Sequence, residues 1–99
     1  MRHAGEQALG ALAPLLTRVR QIPGLRERKP GTFYRRTSAF LHFHEDPAGL
    51  FGDVKVSGEF RRFPLNTRAE QAAFVAAARA AAVTDSPAGA RTARAPARR

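Results

Sequence analysis

The chain has no cysteine, and that one absence removes both a disulfide framework and any thiolate metal site. Histidine is scarce as well. With three residues of it, a metal site would have to lean on carboxylates, and the acids are few: eight against seventeen lysines and arginines. No apolar run approaches the roughly 18–20 residues of a membrane span. Behind Arg2 and His3 no continuous apolar stretch follows, because Glu6 and Pro14 interrupt it, which argues against a secretory signal. A soluble, cytoplasmic protein is the expectation. No serine sits in a nucleophile motif, and Gly49-Leu50-Phe51-Gly52 lacks the pattern of a phosphate-binding loop. The chain therefore leans away from an enzyme, and no cofactor is expected.

What is there suffices for one small domain. Ninety-nine residues with 43% hydrophobic content can build a single core, which we place in residues 1–86. The net charge of +9 is unevenly spread. Residues 87–99 hold four arginines and no acid, whereas residues 1–86 hold thirteen basic and eight acidic residues and carry +5. The tail contains no aromatic or branched apolar side chain, so it is expected to be disordered. Arginine outnumbers lysine 15 to 2. That bias fits GC-rich codon usage, and it equally fits a polyanionic partner such as nucleic acid.

Apolar residues at Ala8, Leu9, Leu12, Leu15, Leu16 and Val19 recur every three or four positions and predict a helix over residues 4–22. Pro14 kinks it or starts a second short helix, and Pro23-Gly24 stops it. Leu25–Thr32 is charged and reads as loop. Four short strands follow at Thr32–Arg36, Ala39–His44, Phe51–Val56 and Glu59–Leu65, with turns at Thr37-Ser38, Asp46-Pro47-Ala48-Gly49 and Ser57-Gly58. Thr67 with Glu70 three residues on forms a capping box that opens a C-terminal helix running to Val83. The expectation is an α+β fold: N-terminal helix, four-stranded antiparallel meander, C-terminal helix, with both helices on one side of the sheet.

A side-chain period of two then assigns the faces. Counting from the turns pairs His44 with Phe51, His42 with Asp53 and Phe40 with Lys55. It also pairs Asp53 with Arg62, Lys55 with Phe60, Phe33 with His42 and Arg35 with Phe40. One face collects Phe33, Arg35, Phe40, His42, His44, Phe51, Asp53, Lys55, Phe60 and Arg62. The other collects Tyr34, Leu41, Phe43, Val54, Val56, Phe63 and Leu65, a core. The first face interleaves phenylalanines with cations, as single-strand nucleic-acid binders do. It could equally be covered by the protein's own helices or serve as a homodimer interface.

The row His42–Asp53–Arg62 reads first as a cross-strand charge ladder. It also reads as a carboxylate-oriented general base, or, with His44, as a two-histidine, one-carboxylate metal facet. Structural zinc sites want four protein ligands and often thiolates, so no stoichiometric metal is expected here. The leading reading is a non-enzymatic binding module for nucleic acid or another polyanion, using Phe33, Arg35, Phe40, His42, Lys55 and Arg62. The alternative is a metal- or small-ligand-dependent function at His42, His44 and Asp53.

Over Gly31–Thr67 the chain, with its FLHFHEDPAGLF stretch and RFPLNTRAEQ continuation, resembles a group of small uncharacterised bacterial proteins sharing that core. The resemblance covers about the middle third and implies a bacterial origin. The hairpin Phe33–Phe43 is similar to that of the MmcQ/YjbR family. Members of that family have been linked to DNA binding, so the similarity implies nucleic acid as a partner and carries over no individual residue.

Overall fold

The computed structural model describes residues 1–84, so the tail expected over 87–99 lies outside the described residues. The elements are β1 (Arg2–His3), α1 (Glu6–Ala11), α2 (Ala13–Arg20), β2 (Leu25–Lys29), β3 (Thr32–Arg35), β4 (Ser38–Asp46), β5 (Gly49–Val56), β6 (Glu59–Pro64) and α3 (Arg68–Thr84). The fold is α+β, but the sheet has six antiparallel strands rather than four. Five run in sequence order from β2 to β6. The sixth, β1, shares an edge of β4 with β3: β3 pairs with Ser38–His42 and β1 with His44 and Glu45.

The N-terminal helical pattern divides at Leu12, and Pro14 lies in the first turn of α2, where its missing N–H has no intrahelical partner to lose. Leu25–Lys29 is a strand and not a loop. It is an edge strand, and its charged run Arg26-Glu27-Arg28-Lys29 carries no apolar alternation to announce it. Glu27 ties this edge to the helical layer. It accepts hydrogen bonds from Arg20 Nε at 2.7 Å and Nη2 at 3.1 Å, and from the Gly31 N–H at 3.0 Å. The β5–β6 hairpin turns at Ser57-Gly58 as expected, with both residues at positive φ. The β4–β5 loop closes more tightly than expected, and Asp46 Oδ2 accepts from the Ala48 N–H at 3.0 Å. At α3 the capping box forms: Glu70 N–H donates to Thr67 Oγ1 and Thr67 N–H to Glu70 Oε1, both at 3.1 Å.

The largest correction lies in the β3–β4 pairing. The turn falls at Arg36-Thr37, with Arg36 at φ 60°, and Ser38 already belongs to β4. Phe33 pairs with Leu41 and Tyr34 with Ala39, so β4 contributes Phe40 as an extra, bulged residue. A one-residue shift sends every side chain of a strand to the opposite face. Phe33 therefore lies in the core at 1% exposure, and the bulge buries Phe40 beside Leu41 at 2%. Arg35 follows Phe33, its guanidinium 6.0 Å from the Phe40 ring centre. Tyr34, assigned to the core by alternation, is half-buried and stacks under Arg28 at 4.9 Å.

The core packs Leu12, Leu15, Leu16, Val19 and Ile22 from the N-terminal helices and Phe74, Val75, Ala78 and Ala81 from α3 onto Phe33, Leu41, Phe43, Val54 and Leu65. Both helical layers thus sit on one side of the sheet. The opposite side stays open enough to leave Phe60 44% exposed. Close packing of α3 depends on Gly52: a Cβ there would meet Phe74 ring atoms at 2.7 and 2.8 Å and Leu65 at 3.1 Å. Gly52→Ala is expected to destabilise the fold by about 1–3 kcal/mol through overpacking. Gly10→Ala, in helix α1 with nothing near the new methyl, is expected to stabilise it by about 0.5–1 kcal/mol. Denaturant titration of the two variants reads opposite shifts in midpoint.

Candidate metal and proton-exchange site

The open sheet face gathers the polar groups that the core excludes. Alternation along β4 sends Leu41 and Phe43 into the core and His42 and His44 to the other side. The register of β4 with β5 sets His42 opposite Asp53, and that of β5 with β6 sets Asp53 opposite Arg62, as expected from the turns. Asp53 is 6% exposed, so its charge must be compensated locally. Arg62 supplies a two-point clamp, Nε to Oδ1 and Nη2 to Oδ2, each 2.8 Å.

The histidines complete the cluster. His44 Nε2 lies 3.2 Å from Asp53 Oδ2, His42 Nδ1 lies 3.8 Å from the same oxygen, and the two ring nitrogens are 2.8 Å apart. With one tautomer His44 Nε2–H donates to the carboxylate, and with the other its lone pair points to the same spot. His44 Nδ1 is buried against the main chain of Arg2 without a hydrogen bond of good geometry. His3, which sequence pattern did not single out, joins them. Its pairing with His44 across β1 and β4 brings its ring centre to 4.8 Å from that of His44 and 5.5 Å from that of His42. All three histidines of the chain meet at this one point. A two-residue strand leaves no periodicity to read, so nothing in the sequence announced His3.

Of the residues expected on this face, His42, Lys55 and Arg62 are there, with His44 and Asp53 beside them. Phe33, Arg35 and Phe40 are not. Phe60 is there, 4.8 Å from the His42 ring centre, with Lys55 Nζ 5.4 Å above its own ring.

Burial is the main force holding His42 and His44 below the ordinary histidine value. The proximity of His44 adds to it for His42, and the Asp53 charge opposes it for both. Burial alone would raise the Asp53 carboxyl, but the Arg62 hydrogen bonds and charge outweigh it, so the carboxyl stays ionised to lower pH than usual. At neutral pH the cluster is therefore two neutral imidazoles beside one carboxylate. Comparison with protein-family models, curated proteins and solved structures finds no match for this chain.

These shifts fix a pH dependence. The unfolded chain protonates its histidines near pH 6.5 while folded His42 and His44 resist. The unfolded state then binds more protons, and stability falls with falling pH from about 6.5 downward. Asp53, depressed below 3.8, extends the loss to lower pH. Thermal melts of His42→Ala are expected to show a shallower decline between pH 6.5 and 5 than the wild type.

Proposed function

We propose that the chain binds a divalent transition metal, zinc or ferrous iron, at His42, His44 and Asp53, and that its function is metal-dependent. The observation that carries this reading is the triangle of donor atoms. A single ion about 2.0–2.2 Å from three ligands in tetrahedral or octahedral arrangement needs them roughly 3–3.5 Å apart. His42 Nδ1, His44 Nε2 and Asp53 Oδ2 stand 2.8, 3.2 and 3.8 Å from one another. Two histidines and one carboxylate on one side of an ion leave further positions open for water or substrate, the arrangement of catalytic rather than structural centres. The low proton affinity of both rings helps, since a protonated imidazole cannot ligate. Arg62 orients the carboxylate as outer partners of metal ligands do, holding both of its oxygens, the donor Oδ2 included. Three ligands fall short of the four that structural zinc sites want, and a centre that keeps a position open needs no fourth.

Zinc or cobalt(II) is expected to bind tag-free protein with one-to-one stoichiometry. At a free metal concentration a hundred times Kd it should stabilise the fold by about 2.7 kcal/mol. His42→Ala and His44→Ala should abolish that stabilisation, and a wild-type melting curve indifferent to metal would refute the site.

A second reading keeps the polyanion partner, on a different observation from the one that suggested it. The stacking platform loses Phe33 and Phe40 to the core, but the open side still offers two cation–aromatic pairs, Arg28 on Tyr34 and Lys55 on Phe60. If these bind single-stranded nucleic acid, affinity falls steeply with salt, and Arg28→Ala flattens that slope while Phe60→Ala weakens binding without changing it. Fluorescence anisotropy on a fragment ending at residue 86 separates this face from the arginine-rich tail. No binding at low salt would refute it.

A further inference from the structure

We infer that His3 is a fourth metal ligand, carried to the site on the short arm β1, and that its ring turns onto the ion when it binds. The inference rests on the proposed site at His42, His44 and Asp53. Three observations support it. The β1–β4 register sets His3 directly opposite His44, a ligand, and its ring touches both ligand rings, at 4.8 and 5.5 Å between centres. Strand β1 is held firmly enough to aim that ring. The Ala4 N–H donates to Phe43 O at 3.0 Å, the Gly5 N–H donates to Glu45 Oε2 at 2.6 Å, and Arg2 reaches Glu45 Oε1 at 3.5 Å. Glu45 therefore acts as a positioning residue, gripping the chain on both sides of His3. The ring also has room to turn. It is exposed and borders a cleft of about 220 Å³ between β1 and β3, lined also by Lys29, Gly31 and Thr32.

His42, His44 and Asp53 have donor atoms already converged, while His3 stands one ring away. Turning the His3 ring to the open side of the ion would make a set of three histidines and one aspartate. The arm differs from the other ligands in kind. They sit on central strands whose register the core enforces, whereas His3 sits on two residues at a sheet edge.

The test uses the tag-free chain of residues 1–99, titrated with zinc against a chromophoric chelator and with cobalt(II) followed by its visible ligand-field bands. Amide exchange at Ala4 and Gly5 is measured with and without zinc. His3→Ala should weaken zinc binding at least tenfold and dim the cobalt bands, as a four-coordinate site takes up water. It should also abolish the metal-induced slowing of exchange at Ala4 and Gly5. A metal-free melting temperature equal to that of the wild type shows that the variant is folded. Unchanged affinity, bands and exchange in His3→Ala, with binding lost in His42→Ala, would overturn the role of His3 and leave the three-ligand site standing. If the wild type binds neither zinc nor cobalt, the site falls and this inference falls with it.

Discussion

Strand β4 cannot slip, and the rest of the molecule is arranged around that fact. Leu41 and Phe43 are 0% and 1% exposed on one side of it, and His42 and His44 stand on the other. A one-residue shift would bring both apolar side chains to the surface and both imidazoles into the core. Exposing the two apolar side chains alone would forfeit about 1.5–3 kcal/mol each. The core therefore holds the register that sets His42 across from Asp53, and the site inherits its geometry from packing on the far side of the same strand. Gly52 belongs to this arrangement. It lets Phe74 come down onto the sheet next to Asp53, so α3 presses on the strand that carries the carboxylate.

How much of this was legible follows from where the register is set. The β4–β5–β6 part could be counted from sequence because two short turns and strict alternation leave one pairing that buries Leu41, Phe43 and Val54 together. His42–Asp53–Arg62 came out of that count correctly. The β3–β4 part could not. The bulge at Phe40 leaves no compositional mark, since Phe40 and Leu41 are both apolar and either satisfies a core, and one extra residue moved Phe33 and Arg35 off the open face. Edge strands escaped for another reason. β2 is nearly all charge and β1 has two residues, so neither carries the alternation by which strands are recognised. His3 was invisible because its position depends wholly on β1.

The charge arrangement of the site follows from one nearly buried acid. Asp53 needs a cation close by, and Arg62 meets that need with a planar two-point fit while keeping its own side chain 48% exposed. The Asp53 charge favours protonating the adjoining imidazoles and Arg62 opposes it, but burial outweighs the carboxylate and leaves both rings unprotonated at neutral pH.

The same guanidinium shapes which ion the site could accept. A dication entering beside Arg62 meets a positive charge already bound to both carboxylate oxygens, so Asp53 has less negative charge to offer than a free carboxylate. Hard ions such as magnesium and calcium depend on several oxygen ligands and bind through their charge, so they lose most from this arrangement. Borderline ions draw much of their affinity from imidazole nitrogen, which Arg62 does not touch. With no thiolate and one half-neutralised carboxylate among its donors, the proposed site would favour zinc or ferrous iron over the alkaline-earth ions. The clamp that makes a buried Asp53 tolerable to the fold would thus also turn the proposed site toward nitrogen-loving metals.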